Sequence, residues 1–315
     1  MELLRIWTGM LTQNRINAGT NSKIFLNVKT GGIERLNDDI SRTTQPDQER
    51  SEANLFGLPV GGKNILAEDL ENDSISCIIS GSDAWQPEHL LIWGEGATSA
   101  DIIPLAIETE ITTKLSTSAS EGQDRMSIRL IGKGDSDMSI NRLLVIPLTR
   151  HIRSRSGSSG PPIRGFGDRG TDSPFEIQIS NNENESVVFF EIRDTSQTDL
   201  NDGHANFYFV PVTQSFTKKS LGEDAITISI KGLDPWLPES FFIFGLDTRR
   251  GRPENIVPLV HLTYWPYGFM KADAATGIAS VTLPILPDTC ENEEDISSRI
   301  NELISGQNEI LRRLR

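Results

Sequence analysis

The chain contains 315 residues, of which 37% are hydrophobic and 23% are charged, and its formal net charge is -14 at pH 7. Such an acidic protein repels phosphate backbones, so the composition disfavours a nucleic-acid partner. Its two cysteines, Cys77 and Cys290, are too few and too far apart for a disulfide framework or a zinc site. No apolar run approaches the roughly 18 residues that span a bilayer, and the first seven residues lack a signal-peptide pattern. By default, these features predict a cytoplasmic protein.

In chain order, the first feature is a series of short segments in which apolar and polar residues alternate. Residues 3–7 predict a first strand, and Ile24, Leu26 and Val28 predict a second, because alternate positions share one face of a strand. Further segments of this kind follow at residues 74–80, 102–115, 126–131, 143–148, 175–180, 226–231 and 280–283. Turn-forming residues separate them, so we predict many short strands.

The chain also repeats itself once. The sequence Gly-Thr-Asn-Ser at residues 19–22 recurs as Gly-Thr-Asp-Ser at residues 170–173, an offset of 151. An Asp-x-Trp-x-Pro-Glu motif at residues 83–88 recurs at residues 234–239 with the same offset. Since both the two motifs and the gap between them are preserved, the sequence predicts two copies of one domain.

We therefore predict an all-β fold, with two tandem antiparallel β-sandwich domains and a short C-terminal amphipathic helix. The first sandwich is expected at residues 1–137, the second at residues 138–289, and the helix at residues 290–315.

The C-terminal segment differs in pattern from the rest of the chain. It opens with acidic residues and closes with basic ones, an order that complements the helix dipole. Its apolar residues follow the a and d spacing of a coiled coil, at Ile296, Ile300, Leu303, Ile310 and Leu314. A lone helix of this length is marginal in water, so it is expected to dock on its own sandwich, on a second copy or on another protein.

The Asp-x-Trp motif is the strongest local pattern, and its residue types favour a structural role. A buried Trp would anchor the two sheets, the Pro would fix a turn, and the Asp would accept hydrogen bonds from turn amides. Together with the Gly-Thr-Asx step that leads into an alternating strand, the motif resembles the PLAT (lipoxygenase homology) domain. The resemblance covers most of both copies, although further strands are expected after the Trp motif. It implies an eight-stranded sandwich that associates with lipid surfaces or proteins, in some members with calcium on its loops.

Calcium requires several oxygen ligands, and the second copy offers Asp168 and Asp172. The first copy has Asn21 in place of Asp172. The alternative is that these residues only stabilise turns. No other cofactor is expected.

An aromatic run near the end of the second copy is a candidate contact surface, formed by Tyr264, Trp265, Tyr267 and Phe269. Tyr and Trp are favoured at protein interfaces and at membrane surfaces. The equally weighted alternative is that the run folds back and caps the sandwich.

No catalytic motif is recognisable, and the four histidines share no metal-ligand spacing; His89 and His261 favour structural roles. We therefore expect a non-catalytic binding or scaffolding subunit that joins a larger protein assembly, or a homo-oligomer, through its loops and C-terminal helix. The alternative is a peripheral module that binds a lipid or membrane surface. An enzyme with its site between the sandwiches is a third, weaker hypothesis.

Overall fold

The computed structural model describes residues 1–41, 48–98, 100–150, 170–183, 185–192, 195, 197, 200–201, 203–249, 252–273, 275 and 277–287. Within these residues the chain forms strands and two short 3-10 turns, at Ala67–Asp69 and Lys218–Ser220. The predicted all-β sandwich class is thus confirmed, whereas the helix predicted at residues 290–315 lies outside the described residues. No helix in the described part of the chain is long and apolar enough to cross a membrane.

The first half of the chain forms two antiparallel sheets of four strands each. Their bounds are β1 (Arg5–Thr12), β2 (Lys23–Thr30), β3 (Ile33–Asp39), β4 (Ala53–Pro59), β5 (Ile75–Ser80), β6 (Pro87–Glu95), β7 (Ile102–Glu108) and β8 (Arg125–Ile128). One sheet has the order β4-β1-β6-β7 and the other has the order β3-β2-β5-β8. We call the first the inner sheet and the second the outer sheet.

The second half repeats this topology strand for strand. Its strands are β9 (Gly132–Lys133), β10 (Ile140–Thr149), β11 (Phe175–Asn181), β12 (Ser186–Ile192), β13 (Tyr208–Phe216), β14 (Leu221–Ile230), β15 (Pro238–Arg249), β16 (Arg252–Leu262) and β17 (Ser280–Leu283). The inner sheet has the order β13-β10-β15-β16-β9 and the outer sheet has the order β12-β11-β14-β17. The strands β10 to β17 therefore occupy the same places in their sheets as β1 to β8, in that order, and β9 is an addition to the inner sheet. Short β9 pairs in parallel with β16, and the domain boundary at residue 138 stays a prediction.

Each half has its own apolar core between its inner and outer sheets. Ile6, Leu26 and Cys77 are fully buried in the first core, and Ile177 and Ile228 are fully buried in the second. Cys77 and Ile228 stand at equivalent positions of the repeat, and burial raises the pKa of the Cys77 thiol to about 12. The Cys77 side chain therefore serves as a small core residue, like Ile228 in the second core.

A third apolar layer lies between the two inner sheets. Along β6, Leu90 and Ile92 face the first core, whereas Leu91 and Trp93 belong to the third layer. The same division occurs along β15, where Phe242 and Phe244 join the third layer. Both faces of these strands are buried, which explains why they are apolar at successive positions. The two sandwiches are thus joined by a continuous hydrophobic contact.

The strand predicted at residues 102–115 is shorter than the sequence pattern suggests. β7 ends at Glu108, and Glu110 has a positive φ of 56°. That left-handed conformation turns the chain out of the sheet. Leu115 then returns to form an isolated bridge with Trp85. The alternation beyond residue 108 reflects a loop whose apolar residues pack inward.

Candidate functional site

The Asp-x-Trp motifs occupy matching positions at one end of each sandwich. We call the loops at residues 13–22, 81–86 and 109–124 loop end 1, and those at residues 170–174, 231–237, 263–273 and 277–279 loop end 2. Trp85 and Trp236 are both fully buried. The indole Nε1 of Trp85 donates to the hydroxyl of Thr12 at 3.0 Å, and that of Trp236 donates to the hydroxyl of Thr149 at 3.0 Å.

The Gly-Thr-Asx-Ser motif and the Asp-x-Trp motif are two sides of one hydrogen-bonded brace. In loop end 1, the Asn21 amide donates to the Asp83 carboxylate at 2.9 Å, and the Thr20 hydroxyl donates to the Asp83 carbonyl oxygen at 3.1 Å. In loop end 2, Asp172 and Thr171 make the same bonds to Asp234 at 2.9 and 3.0 Å. Both motifs therefore stabilise the loops.

The glycine that precedes each Asp-x-Trp motif is required by this close approach. A Cβ atom at Gly81 would lie 2.4 Å from the Ser22 hydroxyl oxygen, and one at Gly232 would lie 1.9 Å from that of Ser173. Gly81 also has a positive φ of 149°. The two braces thus give structural roles to the Thr, Asx and Ser of the first motif and to the Asp of the second.

The predicted calcium ligands are only partly described. Asp172 lies in loop end 2 with its backbone amide on Asp234, whereas Asp168 lies outside the described residues. Within the described ranges, no group of three or more His, Cys, Asp and Glu side chains is arranged to hold a metal ion. Calcium binding stays a prediction.

The predicted aromatic run is divided between core and surface. Trp265 is only 1% exposed, its indole donates to the Gly268 carbonyl oxygen at 2.8 Å, and its ring centroid lies 6.1 Å from that of Phe241. Tyr267 and Phe269 are half-buried against the same core. Trp265 therefore caps the second core, as the fold-back alternative predicts. Partner binding by Tyr264, Trp265, Tyr267 and Phe269 stays a prediction.

Tyr264 is the member of the run that projects from the protein. Its side chain is 65% exposed, and the guanidinium of Arg150 lies 5.4 Å from its ring centroid. Leu233 at 70% and Ile278 at 40% are further exposed apolar side chains of loop end 2. We call Leu233, Tyr264 and Ile278 the apolar trio.

Backbone hydrogen bonds tie the loops that carry the trio to each other. The Ala272 amide donates to the Gly232 carbonyl oxygen at 3.0 Å, next to Leu233. The Lys271 amide donates to the Ile278 carbonyl oxygen at 3.0 Å. The trio therefore lies on a preorganised end of the sandwich rather than on independent loops.

Loop end 1 has polar residues at the equivalent positions. Ser82 corresponds to Leu233 by the repeat offset. Gln123 corresponds to Ile278 by strand pairing. Gln123 forms a parallel bridge with Leu115, the residue that bridges to Trp85. In the same way, Ile278 forms a parallel bridge with Met270, the residue that bridges to Trp236. Glu110 corresponds to Tyr264 by the offset of 154 that relates β7 to β16. Leu233 and Ile278 were not predicted as contacts, although a comparison of the two copies contains the information that distinguishes them.

Basic side chains accompany the trio. Lys231 forms an ion pair with Glu176 at 2.7 Å, and its side chain remains half-exposed. Lys271 donates its backbone amide to the carbonyl oxygen of Ile278. With Arg150 on the Tyr264 ring, these basic groups stand at the same loop end as the carboxylates of Asp172 and Asp234.

A polar depression of 490 Å³ opens where β7 and β8 approach the start of β16. Its charged residues include Glu108, Arg129 and Arg252, and the Glu108 carboxylate accepts a bond from the Arg129 amide at 3.4 Å. A second depression, which shares Glu110, Ile111 and Thr112 with the first, contains Glu88 and Arg15. Burial raises the pKa of Glu88, and the charge of Arg15 opposes that rise. The hydroxyl-bearing residues in the described lining of the first depression are Thr109, Thr112, Thr113 and Ser127.

The comparisons with known proteins give little further information. No protein-family model matches the chain, and no curated protein matches it. A solved structure of Alpha Toxin from Clostridium Absonum matches with 18% identity and a TM-score of 0.34. The match covers 41% of this chain and 32% of the toxin chain. A likeness of this extent carries no argument about function, and the β-sandwich assignment is drawn from the strands themselves.

Proposed function

We propose that the protein is a non-catalytic scaffolding subunit that assembles with further copies of itself through loop end 2. The observation that supports this proposal is the apolar trio, exposed at positions where the duplicated loop end is polar. The predicted C-terminal helix would provide a second attachment, through Ile296, Ile300, Leu303, Ile310 and Leu314.

The duplication supplies an internal control for the meaning of the trio. Loop end 1 folds with the same Trp brace and the same topology, but it carries Ser82 and Gln123 where loop end 2 carries Leu233 and Ile278. The fold therefore does not require apolar side chains at these positions. Apolar side chains exposed at one end of a domain suit a binding surface, and Tyr is enriched among residues that dominate binding energy.

The loops that carry the apolar trio are fixed to the core by backbone hydrogen bonds, which suits a contact surface. Trp236 and Met270 donate backbone amides to each other's carbonyl oxygens at 2.9 and 2.8 Å, which fixes the two loops against the core. A surface that is already ordered loses less conformational entropy on binding. The apolar layer between the inner sheets supports both sandwiches as one platform.

Light scattering on the full chain tests this proposal. We expect particles larger than one chain, and we expect the variant Leu233→Ser/Tyr264→Glu/Ile278→Gln to shift them towards monomers. The matched control is Ser82→Ala with Gln123→Ala at loop end 1, which should leave the particle size unchanged. A full chain that stays monomeric at all accessible concentrations would contradict the proposal. Removal of residues 290–315 from an otherwise unchanged chain measures the separate contribution of the helix.

A peripheral lipid-binding role is the second candidate, and it rests on a different observation. Arg150 and Lys271 accompany the apolar trio, a combination that suits an anionic membrane surface. The PLAT resemblance also implies lipid-surface association. Flotation with phosphatidylserine-containing vesicles, with and without calcium, should carry the wild-type chain but not Tyr264→Glu. A chain that never floats excludes this candidate, whatever its oligomeric state.

A further inference from the structure

All the histidines in the described part of the chain lie at the contact between the two halves, and each touches a residue of the opposite half: His89, His204 and His261. We propose that this contact is an acid-sensitive joint, in which protonation of His89 and His261 separates the inner sheets while each sandwich keeps its own core.

His261 lies inside the apolar layer between the halves. Its Nε2 accepts a hydrogen bond from the indole of Trp93 at 3.1 Å, so this nitrogen carries no proton in the observed arrangement. The imidazole also packs against Phe242 at 4.9 Å and against Trp7 at 6.2 Å between ring centroids. Protonation of Nε2 would replace an acceptor with a second donor facing the Trp93 N–H, and it would place a charge among aromatic rings.

Charged groups near His261 partly oppose each other. The Glu95 carboxylate, on β6, favours the protonated imidazole, whereas Arg5, on β1, disfavours it. Glu95 itself accepts bonds from the Trp7 indole at 2.9 Å and from Arg5 at 3.4 Å, so part of its charge is already compensated. Burial, aided by the charge of Arg5, outweighs the opposing charge of Glu95 and lowers the pKa of His261 to about 4.

His89 lies on the first half and faces the second. Its ring centroid is 4.7 Å from that of Phe209, and the guanidinium of Arg142 lies 5.0 Å from the centroid of the same Phe209 ring. Its Nδ1 accepts the Glu110 amide at 3.4 Å, and the Glu88 carboxylate is 3.7 Å from its Nε2. Burial and the charge of Arg142 together lower the pKa of His89 to about 4.

The third histidine joins the halves through a carboxylate rather than through aromatic rings. His204 pairs directly with the Glu52 carboxylate of the first half. This pair is next in sequence to Ala205 and Ala53, which form a bridge between the halves.

The direction of the pH dependence follows from the lowered pKa values. Both histidines have a pKa of about 4 in the closed protein, below the value of about 6.5 of a solvated imidazole. The open state therefore binds more protons between these values, and the contact loses stability as the pH falls from about 6.5 towards 4. The cores within the halves contain neither histidine, so they can outlast the contact.

Small-angle scattering of the full chain between pH 7.5 and pH 3.5 tests the joint, with far-UV circular dichroism recorded on the same samples. We expect the radius of gyration to rise below about pH 6 while the strand signal persists. The variant His89→Gln/His261→Gln keeps an amide oxygen as acceptor but cannot titrate. Its transition should move to a pH lower by about one unit or more.

A locked variant provides the control. Ala53 and Ala205 face each other in an isolated antiparallel bridge between the halves, a geometry compatible with a disulfide. Ala53→Cys/Ala205→Cys, in a Cys290→Ser background, should show no expansion when oxidised and should regain it when reduced. An unchanged midpoint in the glutamine variant would overturn the proposal, as would a radius that stays constant to pH 3.5 or rises only together with loss of the strand signal.

Discussion

The two loop ends share a backbone framework but present different surfaces. Both carry a buried Trp bonded to a Thr hydroxyl at 3.0 Å, and both close the brace through an Asp carboxylate that accepts a backbone amide at 2.9 Å. Yet Leu233 projects from loop end 2 at the position where loop end 1 has Ser82. The comparison separates what the fold requires, which is the brace, from what it leaves free, which is the outward side chains.

The largest effect is expected when the braces are broken at their centre. Trp85→Ala and Trp236→Ala should each lower the free energy of unfolding by about 3–5 kcal/mol, because each removes a large, fully buried side chain. Urea denaturation followed by circular dichroism measures both. If one substitution destabilises and the other is neutral, the two braces are not equivalent.

A smaller effect is expected at the partners of the two indoles. Thr12→Val and Thr149→Val keep the side-chain shape but leave the buried indole N–H of Trp85 or Trp236 without its acceptor. Each should cost about 1–3 kcal/mol of stability, and the two values should be similar. Thr→Ser at the same positions retains the hydroxyl and serves as the control. A Val variant as stable as its Ser counterpart would show that the bond contributes nothing.

The two cores can be compared at Cys77 and Ile228, which hold equivalent positions. Burial raises the pKa of the Cys77 thiol to about 12, so at pH 8 almost none of it is thiolate. In a Cys290→Ser background, we expect a thiol reagent to modify the native protein no faster than the protein unfolds. Rapid modification without denaturant would place Cys77 outside the first core.

The smallest effect on stability is expected from the outward residues of loop end 2. Leu233→Ser, Tyr264→Glu and Ile278→Gln should each change the free energy of unfolding by no more than about 0.5 kcal/mol, since these side chains are exposed. Thermal denaturation of the monomeric protein checks this. A large loss would mean that the trio stabilises the fold and is no contact surface.

Much of the fold was predictable because a repeat and period-two alternation are local patterns. Ile24, Leu26 and Val28 lie in the first core as predicted. The apolar layer between the two inner sheets was not predicted, because alternating apolar and polar residues indicate a strand with only one buried face. Leu91 and Trp93 interrupt that pattern, and only their continuous apolar run indicates burial on both faces. The strand predicted through residue 115 was wrong for a related reason, since a loop that packs inward imitates alternation.

The candidate site was less predictable than the fold. Aromatic composition alone could not separate Trp265, which caps the core, from its neighbour Tyr264, which is exposed, because orientation depends on the turn between them. Leu233, a single apolar residue between Gly232 and Asp234, gives no sequence signal of a contact by itself. Its significance comes from the polar residue at the same place in the other copy.

Loop end 2 as the contact surface is tested most directly by amide hydrogen exchange on the full chain at high and low protein concentration. Association should slow exchange in the loops at residues 231–237 and 263–273, while their counterparts at residues 81–86 and 109–124 exchange at the same rate in both samples. Equal protection of the two loop ends, or protection of loop end 1 alone, would contradict the assignment.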